Sequence, residues 1–296
     1  GADLFLRPPF RPEVVRTLPD GSRHVLNDEG VVELEVTGVT SIQAEIEHLL
    51  VDRESWKKHY KWRLQWSSGR IFGLANRATP DTSRPRGLWC GSLIGKIRNI
   101  LGVEGLAYLR EDDPELLDEI VDTVGALALQ GVEETLRKVP DLDFGHFWED
   151  ICFNHGPLVN PAFFAEKMVP WYRRITARLR EYGIDLVSVD CDGCIDALVP
   201  HWLEAGVNIM FPIEVGTWNG SIRPWREQYG ERLLGIGGMR KEVFSLDQSA
   251  VDVEIERLRP LIELGGYIPC PDHRMPPDAK WDLVRYCTDR LRGLKR

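Results

Sequence analysis

This sequence lacks long apolar runs and an excess of basic charge. No run of about 18 apolar residues occurs, and the first ten residues lack the basic segment and apolar core of an export signal. The formal net charge is −9, whereas nucleic-acid-binding proteins concentrate Lys and Arg against the phosphates. These absences predict a soluble protein with neither a membrane-spanning segment nor a nucleic-acid surface.

Cysteine is sparse and irregularly spaced. Six cysteines in 296 residues fall short of the density of a secreted disulfide scaffold. The simplest prediction is a cytoplasmic protein with reduced thiols. Cys191 and Cys194, together with Cys270, form a rival thiolate site for a metal, but a second CxxC pair is missing.

The phosphate-binding loops GxGxxG and GxxxxGK[ST] are also missing, which disfavours a doubly wound nucleotide-binding sheet. From about residue 70, short apolar runs alternate with amphipathic stretches, a pattern typical of a parallel sheet with crossover helices. The predicted strands are 70–74, 144–148, 186–190, 207–211, 233–237 and 266–269. The predicted helices are 114–137, 161–182, 195–205, 251–264 and 277–291. This alternation predicts a TIM (β/α)8-type barrel, with residues 1–296 as a single domain.

The first sixty residues do not follow that alternation, and we interpret them as an N-terminal extension. Prolines at positions 8, 9, 12 and 19 predict an irregular segment over residues 1–20. Two short β-type runs, 24–26 and 31–36, flank a turn at 27–30 and predict a β-hairpin.

Carboxylates follow several of the predicted strands. In a β/α-barrel the reacting groups lie at the carboxyl ends of the strands, and the residues at these positions are Glu149, Asp190, Asp192, Glu214 and Asp272, with His273 beside the last. Like charges held close in a dry pocket raise one another's pKa unless a metal or a cationic substrate offsets them. The alternative is that these acids cap the helices that follow the strands.

We predict that Asp190, Asp192, His273, Glu149 and Glu214 are the catalytic residues. Asp190, Asp192 and His273 could form a two-carboxylate, one-histidine site for zinc or a related divalent ion. The metal-free alternative is that an aspartate orients the substrate while His273 transfers a proton. His146 and Trp148 lie toward the end of the predicted strand 144–148, and Asn154 lies on the loop that leaves it. All three are candidate pocket residues, although His146 could equally be a packed core histidine.

Three segments, in order, resemble the uroporphyrinogen decarboxylase superfamily. They are HFWED at 146–150 with NHGPLVNP at 154–161, VDCDG at 189–193, and GGYIPCPDH at 265–273 with PPD at 276–278. Glu214 in FPIE and the pair Gly237 and Gly238 with Lys241 fit the same pattern, which adds Lys241 to the candidate pocket. The resemblance covers residues 69 to 281.

That superfamily contains metal-free decarboxylases of porphyrin biosynthesis and zinc-dependent corrinoid methyltransferases, which move a methyl group between cobalamin and a thiol. The methyltransferases carry a His-x-Cys-Gly motif where this chain has residues 190–193, and their late cysteine ligand falls at His273. Harder oxygen and nitrogen donors would therefore replace thiolates here. The arginine-rich segment and early aspartate of the decarboxylases have no counterpart that we could locate.

The resemblance implies an enzyme of the methyltransferase-like branch, acting on a small substrate at the carboxyl-terminal mouth of the barrel. It also implies a divalent metal, a corrinoid-protein partner and a homodimer. Two alternatives stay open: decarboxylation of a uroporphyrinogen-type tetrapyrrole, and a non-catalytic barrel that binds a ligand or a corrinoid protein. Family members ordinarily have a strand and helix before the point where this sequence starts. We therefore expect the first βα elements to be missing, or the barrel to be closed differently, for example by a partner subunit.

Overall fold

The computed structural model describes residues 6, 8–36, 38, 43–71, 83–139 and 141–294. The chain divides into two compact units. The first unit comprises Gly1–Glu149 and Ala165–Ile184, and the second comprises Asp150–Phe164 and Asp185–Arg296. The single-domain interpretation of the sequence stays a prediction.

The strands within the described residues are β1 (Glu13–Thr17), β2 (Arg23–Leu26), β3 (Val31–Glu35), β4 (Ala44–His48), β5 (Gly87–Gly91), β6 (Phe144–Trp148), β7 (Cys152–Phe153), β8 (Gly156–Pro157), β9 (Leu186–Asp190), β10 (Ile209–Ile213), β11 (Leu234–Met239) and β12 (Tyr267–Pro271). In the first unit β5 pairs with β6 in parallel, and in the second unit β9 to β12 form a parallel sheet. The predicted α/β class with a parallel sheet is confirmed, and closure of that sheet into a barrel stays a prediction.

The helices are α1 (Arg53–Ser55), α2 (Ile94–Asp112), α3 (Pro114–Lys138), α4 (Pro161–Phe163), α5 (Val169–Glu181), α6 (Val199–Glu204), α7 (Val215–Trp218), α8 (Ile222–Tyr229), α9 (Gln248–Glu263) and α10 (Trp281–Arg292). Short 3-10 segments lie at Ser68–Ile71, Gly230–Arg232 and Lys241–Ser245, and π-helical segments at Trp56–Tyr60 and Phe164–Met168. Within the described part of the chain, every helix is too short or too polar for a membrane crossing.

The first unit begins with an antiparallel sheet in the order β1-β2-β3-β4. The predicted hairpin is confirmed, because β2 pairs with β3 with Leu26 opposite Val32. Asn27 Oδ1 accepts hydrogen bonds from the backbone N–H groups of Glu29 and Val31, which closes the turn. The prediction of an irregular segment over residues 1–20 is wrong in part, since β1 pairs with β2. The prolines flank this edge strand, where they remove no ladder hydrogen bond.

Elsewhere in the first unit, α3 packs against β5, which pairs in parallel with β6. Leu88, Cys90 and Phe147 alternate along the two strands and are completely buried, and α3 packs against α2 and α5. The predicted strand at 70–74 is wrong in its described part, because Ser68–Ile71 forms a 3-10 segment and residues 72–74 lie outside the described residues. Strand β5 was not predicted, because glycines at both of its ends weaken a strand pattern.

The second unit contains the parallel strands β9 to β12, with the order β12-β11-β10-β9. Val189 on β9 is level with Met210 on β10, and both are completely buried. Helix α9 starts at a capping aspartate, since Asp247 Oδ1 accepts a hydrogen bond from Ala250 N. Its buried side chains pack toward β11 and β12.

Candidate functional site

Three of the predicted site residues meet at the carboxyl ends of the second unit's strands. Asp192 follows β9, Glu214 directly follows β10 and His273 follows β12. Because the carboxyl ends of parallel strands lie at the same edge of a sheet, the loops after them can meet there. One ligand atom from each of the three side chains lies within 4.8 Å of the other two. We call these three residues the ligand group.

His273 and Asp192 are the closest pair within the ligand group. His273 Nε2 lies 3.2 Å from Asp192 Oδ2. Both side chains are about one-third exposed, at 35% and 38%, so the pair is accessible to a small molecule. The two residues are 81 positions apart in the chain, and only the tertiary fold brings them together.

Glu214 is buried, with 4% of its surface exposed, and both of its carboxylate oxygens are held. Gly193 N donates to Oε2 over 2.5 Å, and Thr217 Oγ1 donates to Oε1 over 2.9 Å. Each carboxylate oxygen has two lone pairs, so each keeps one for a metal or a substrate. A carboxylate fixed in this way is preorganised as a ligand.

Asp190, the last residue of β9, stands beside the ligand group without belonging to it. Burial, together with the charges of Asp192, Asp150 and Glu214, raises the pKa of its carboxyl to about 7. The predicted metal set contained Asp190, whereas the ligand group has Glu214 in that place. The sequence suggested Asp190 because it lies two residues before Asp192 at the same strand end. Glu214 follows the neighbouring strand, and only the pairing of the two strands brings it close to Asp192.

Asp272 is a functional candidate that the predicted site did not include. It is 2% exposed, and its Oδ2 accepts hydrogen bonds from Val215 N over 3.0 Å and Gly216 N over 2.8 Å. Its Oδ1 accepts a longer bond of 3.4 Å from Lys241 N. The sequence signal that could have identified Asp272 was its position next to His273, after a predicted strand. Lys241, a predicted pocket residue, starts a 3-10 segment here and is bound through its backbone.

Glu149 lies in the first unit, and its contacts are those of a helix cap. It is 1% exposed and accepts hydrogen bonds from Leu93 N over 2.8 Å, Gly95 N over 2.7 Å, Ser92 Oγ over 3.4 Å and the hydroxyl of Tyr172. Complete burial raises the pKa of Glu149 to about 7, although these hydrogen bonds favour the charged form. These partners belong to the start of α2 and to α5, which supports the capping alternative at this position.

His146 and Trp148 lie on β6, also in the first unit, beside an aromatic side chain that was not predicted. The rings of Trp89 and His146 meet edge to face with centroids 5.2 Å apart, and those of Trp89 and Trp148 lie 6.4 Å apart. Burial lowers the pKa of His146 to about 4, so its imidazole is neutral at physiological pH. Trp89 was missed because β5 was missed. Asn154 is exposed in the turn between β7 and β8 of the second unit.

The rival thiolate site finds little support in the geometry. Cys191 is buried, and its Sγ accepts a hydrogen bond from Ile151 N over 3.4 Å. Burial raises the pKa of Cys270 to about 11, which keeps it a thiol at neutral pH. Within the part of the chain that the structure describes, the group able to hold a metal contains no cysteine.

The ligand group fits a divalent cation. Zinc binds nitrogen and oxygen donors at about 2.0 to 2.2 Å, so donor atoms around a tetrahedral ion lie about 3.3 Å apart. The distance of 3.2 Å between His273 Nε2 and Asp192 Oδ2 agrees with that spacing. Catalytic zinc sites combine three protein ligands with an open position for water or substrate. Two carboxylates and one imidazole supply the charge and donor types for such a site.

The chain matches no protein-family model, and no curated protein matches it in sequence. Its fold is similar to that of a methyltransferase from Methanosarcina mazei. The two share 10% sequence identity, with a TM-score of 0.59, over 93% of this chain and 77% of the methyltransferase. At this identity the similarity concerns the fold alone.

Proposed function

We propose that this chain is a methyltransferase-like enzyme of the uroporphyrinogen decarboxylase superfamily. It holds a divalent metal ion at Asp192, Glu214 and His273 and acts there on a small substrate. The observation that carries this proposal is the approach of the three ligand atoms to within 4.8 Å of one another. The similarity in fold to a methyltransferase supports the reaction class, and the ordered motifs of the sequence support the superfamily.

The proposal includes the architecture around the site. In this proposal the parallel strands belong to a TIM (β/α)8-type barrel, and the ligand group stands at its carboxyl-terminal mouth, where enzymes with this fold carry their reacting groups. A corrinoid protein is the proposed source of the methyl group, and its docking would deliver that group to the same mouth.

The donor set determines the kind of ion and the task of each side chain. Two carboxylates balance the charge of a divalent cation, and nitrogen and oxygen donors suit zinc and harder ions better than they suit ions that prefer thiolates. An ion held here would lower the pKa of a bound thiol, alcohol or water and so supply a nucleophile near neutral pH. Gly193 and Thr217 hold Glu214 in place, and Asp190, outside the ligand group, is available to hydrogen-bond the substrate.

A methyl-transfer assay tests the proposal directly. The purified full chain is mixed with methylcobalamin and a panel of small thiols, and loss of the methyl–cobalt absorbance is followed while bound metal is measured by mass spectrometry. We expect one divalent ion per chain and methyl transfer to at least one thiol. Substitution of a metal ligand should reduce activity on the order of 100-fold or more, because the nucleophile is no longer activated.

Matched control variants distinguish the loss of a metal ligand from a general loss of structure. Asp192→Asn, Glu214→Gln and His273→Ala remove the ligands, whereas Asp196→Asn and His201→Ala change the same residue types elsewhere in the second unit. Asp196 accepts a hydrogen bond from Trp225, and His201 lies on α6. The control variants should retain the metal and the activity.

A wild-type chain without specific metal binding and without methyl transfer would refute the proposal. Release of coproporphyrinogen from uroporphyrinogen in an anaerobic assay would favour the decarboxylase instead, and binding without turnover would favour the non-catalytic alternative.

A further inference from the structure

Asp272 is the most enclosed of the carboxylates that follow strands of the second unit. It is 2% exposed, compared with 4% for Glu214. Burial of a carboxylate is unfavourable unless hydrogen bonds replace the lost water. The N–H groups of Val215 and Gly216 meet that requirement at Oδ2, and Lys241 N contributes at Oδ1. The side chain of Asp272 therefore holds the loops after β10 and β11.

Asp272 connects two members of the ligand group through its own position and one of its contacts. Val215 directly follows Glu214, and Asp272 itself directly precedes His273. One buried carboxylate thus connects the backbone beside one ligand to the backbone beside another. Its own N–H donates to Met239 O over 2.8 Å, which anchors Asp272 to the end of β11.

The third ligand, Asp192, is connected to the other two through Gly193. Gly193 directly follows Asp192, and its N–H donates to Glu214 Oε2 over 2.5 Å. Asp192 Oδ2 in turn lies 3.2 Å from His273 Nε2. The contacts therefore form a closed circuit that runs from Asp272 through the loop of Glu214 to Gly193 and Asp192, and returns through His273.

We infer that Asp272 is a positioning residue, which fixes the Glu214 loop against His273 and so sets the spacing of the three ligands. The inference rests on the proposed function for the identity of the bound metal. The competing explanation is that Asp272 only caps α7, which has four residues. A simple cap would change stability when removed, whereas a positioning residue would also change the geometry of the ligand group.

The probe that distinguishes the two explanations is Co²⁺ added to the metal-free full chain, because its visible absorption reports on the number and arrangement of its ligands. Asp272→Asn keeps the shape of the side chain but removes its charge and one acceptor oxygen. We expect it to weaken Co²⁺ binding about 10- to 100-fold, the usual effect of removing a residue that orients a ligand, and to change the absorption spectrum. Asp272→Ala should weaken binding at least as much.

Glu254→Gln is the matched control. Glu254 is also buried in the second unit, at 4% exposure, and it likewise accepts a backbone hydrogen bond after β11, from Arg240 N over 2.8 Å. It pairs with Arg257 and takes no part in the circuit. Its substitution should lower the melting temperature while leaving the Co²⁺ affinity and spectrum as in the wild type.

A measurement without metal keeps the inference separate from the proposed function. The ring cross-peak of His273 in a ¹H–¹³C spectrum, assigned by its loss in His273→Ala, should move or broaden in Asp272→Asn and stay unchanged in Glu254→Gln. A wild-type chain that binds no Co²⁺ would refute the metal site, and the ring signal would still decide the role of Asp272. Should Asp272→Asn fail to fold by circular dichroism, Asp272→Glu, which retains the charge on a longer side chain, is read by the same signals. A folded variant with the wild-type ring signal, Co²⁺ affinity and spectrum would overturn the inference.

Discussion

Gly193 donates its backbone N–H to Glu214 Oε2 over 2.5 Å, which joins the loop after β9 to the loop after β10. Gly193 has φ of +87°, and a Cβ atom at this position would lie 2.5 Å from Cys152 O. The loop after β9 can therefore lie against β7 only because residue 193 has no side chain. Asp192 directly precedes Gly193 in the chain, so this hydrogen bond holds Asp192 close to Glu214.

We predict that Gly193→Ala disrupts the ligand group. The added methyl group must move away from Cys152 O, which displaces Asp192 and lengthens the Gly193–Glu214 hydrogen bond. Strain at a positive φ costs about 1 to 3 kcal/mol of stability by itself, so a control with the same backbone strain is needed. Gly265 has φ of +70° with no atom within 4 Å of a Cβ. Gly265→Ala should lose stability but keep the Co²⁺ affinity, whereas Gly193→Ala should lose both. Equal affinities in the two variants would contradict the prediction.

Metal removal should lower the stability of the chain. A ligand that binds only the folded state stabilises it by about 2.7 kcal/mol at a concentration 100 times its dissociation constant. We therefore expect the melting temperature to rise on addition of Zn²⁺ and to fall on addition of a chelator. His273→Ala should abolish this response, and His201→Ala should retain it. A response that survives in His273→Ala would place the ion elsewhere.

Stability should depend on pH through Glu149. Because the pKa of this carboxyl is raised to about 7 in the folded state, the folded chain binds its proton more tightly than the unfolded chain does. Its contribution is complete below the unfolded pKa, near 4.5, and is lost as the pH rises through about 7. The loss is on the order of 3 kcal/mol, at about 1.4 kcal/mol per pH unit.

Urea unfolding of the wild type and of Glu149→Gln between pH 4.5 and 8 measures this contribution. The glutamine variant cannot titrate, so its free energy of unfolding should change less over this range, even though its absolute stability is lower. The comparison uses slopes and is therefore insensitive to the loss of individual hydrogen bonds. Parallel curves for the two proteins would show that Glu149 does not titrate in this window.

A largely buried ion pair joins the N-terminal sheet to α2. Lys96 on α2 pairs with Glu29 in the turn of the hairpin, and the two side chains are only 10% and 16% exposed. Removal of one partner leaves a buried charge without compensation, which costs about 3 to 5 kcal/mol. We predict that Glu29→Gln lowers the free energy of unfolding by this order, and that Lys96→Met added to it restores part of the loss.

The control for this prediction is the exposed pair of Glu256 and Arg259, whose side chains are 56% and 41% exposed. Solvent screens such a pair, so Glu256→Gln should leave the free energy of unfolding within experimental error. Denaturant titrations of the single and double variants give the coupling energy. Strict additivity of Glu29→Gln and Lys96→Met would mean that the pair does not interact.

Strong local patterns could be read without the structure. β6 and β9 lie at the predicted positions, because a short apolar run between polar segments has few alternatives to a buried strand. The 25 residues of α3 extend the predicted helix by a single residue, since a long amphipathic stretch marks a helix clearly. β5 was missed, because a strand with glycine at both ends depends on its neighbour rather than on its own residues. Residues 70 and 71 were wrongly predicted to form a strand, and they lie in a 3-10 segment.

The sequence by itself determined the α/β class, most of the parallel strands and the presence of carboxylates and a histidine after their ends, since these follow from periodicity and residue type. Only the tertiary structure decided how those residues are used. It groups Glu214 with Asp192 and His273, and it encloses Glu149 among the donors at the start of α2. The physical reason is that hydrogen bonds such as Gly193 to Glu214 join residues far apart in the chain, and no local pattern encodes which loop reaches which carboxylate.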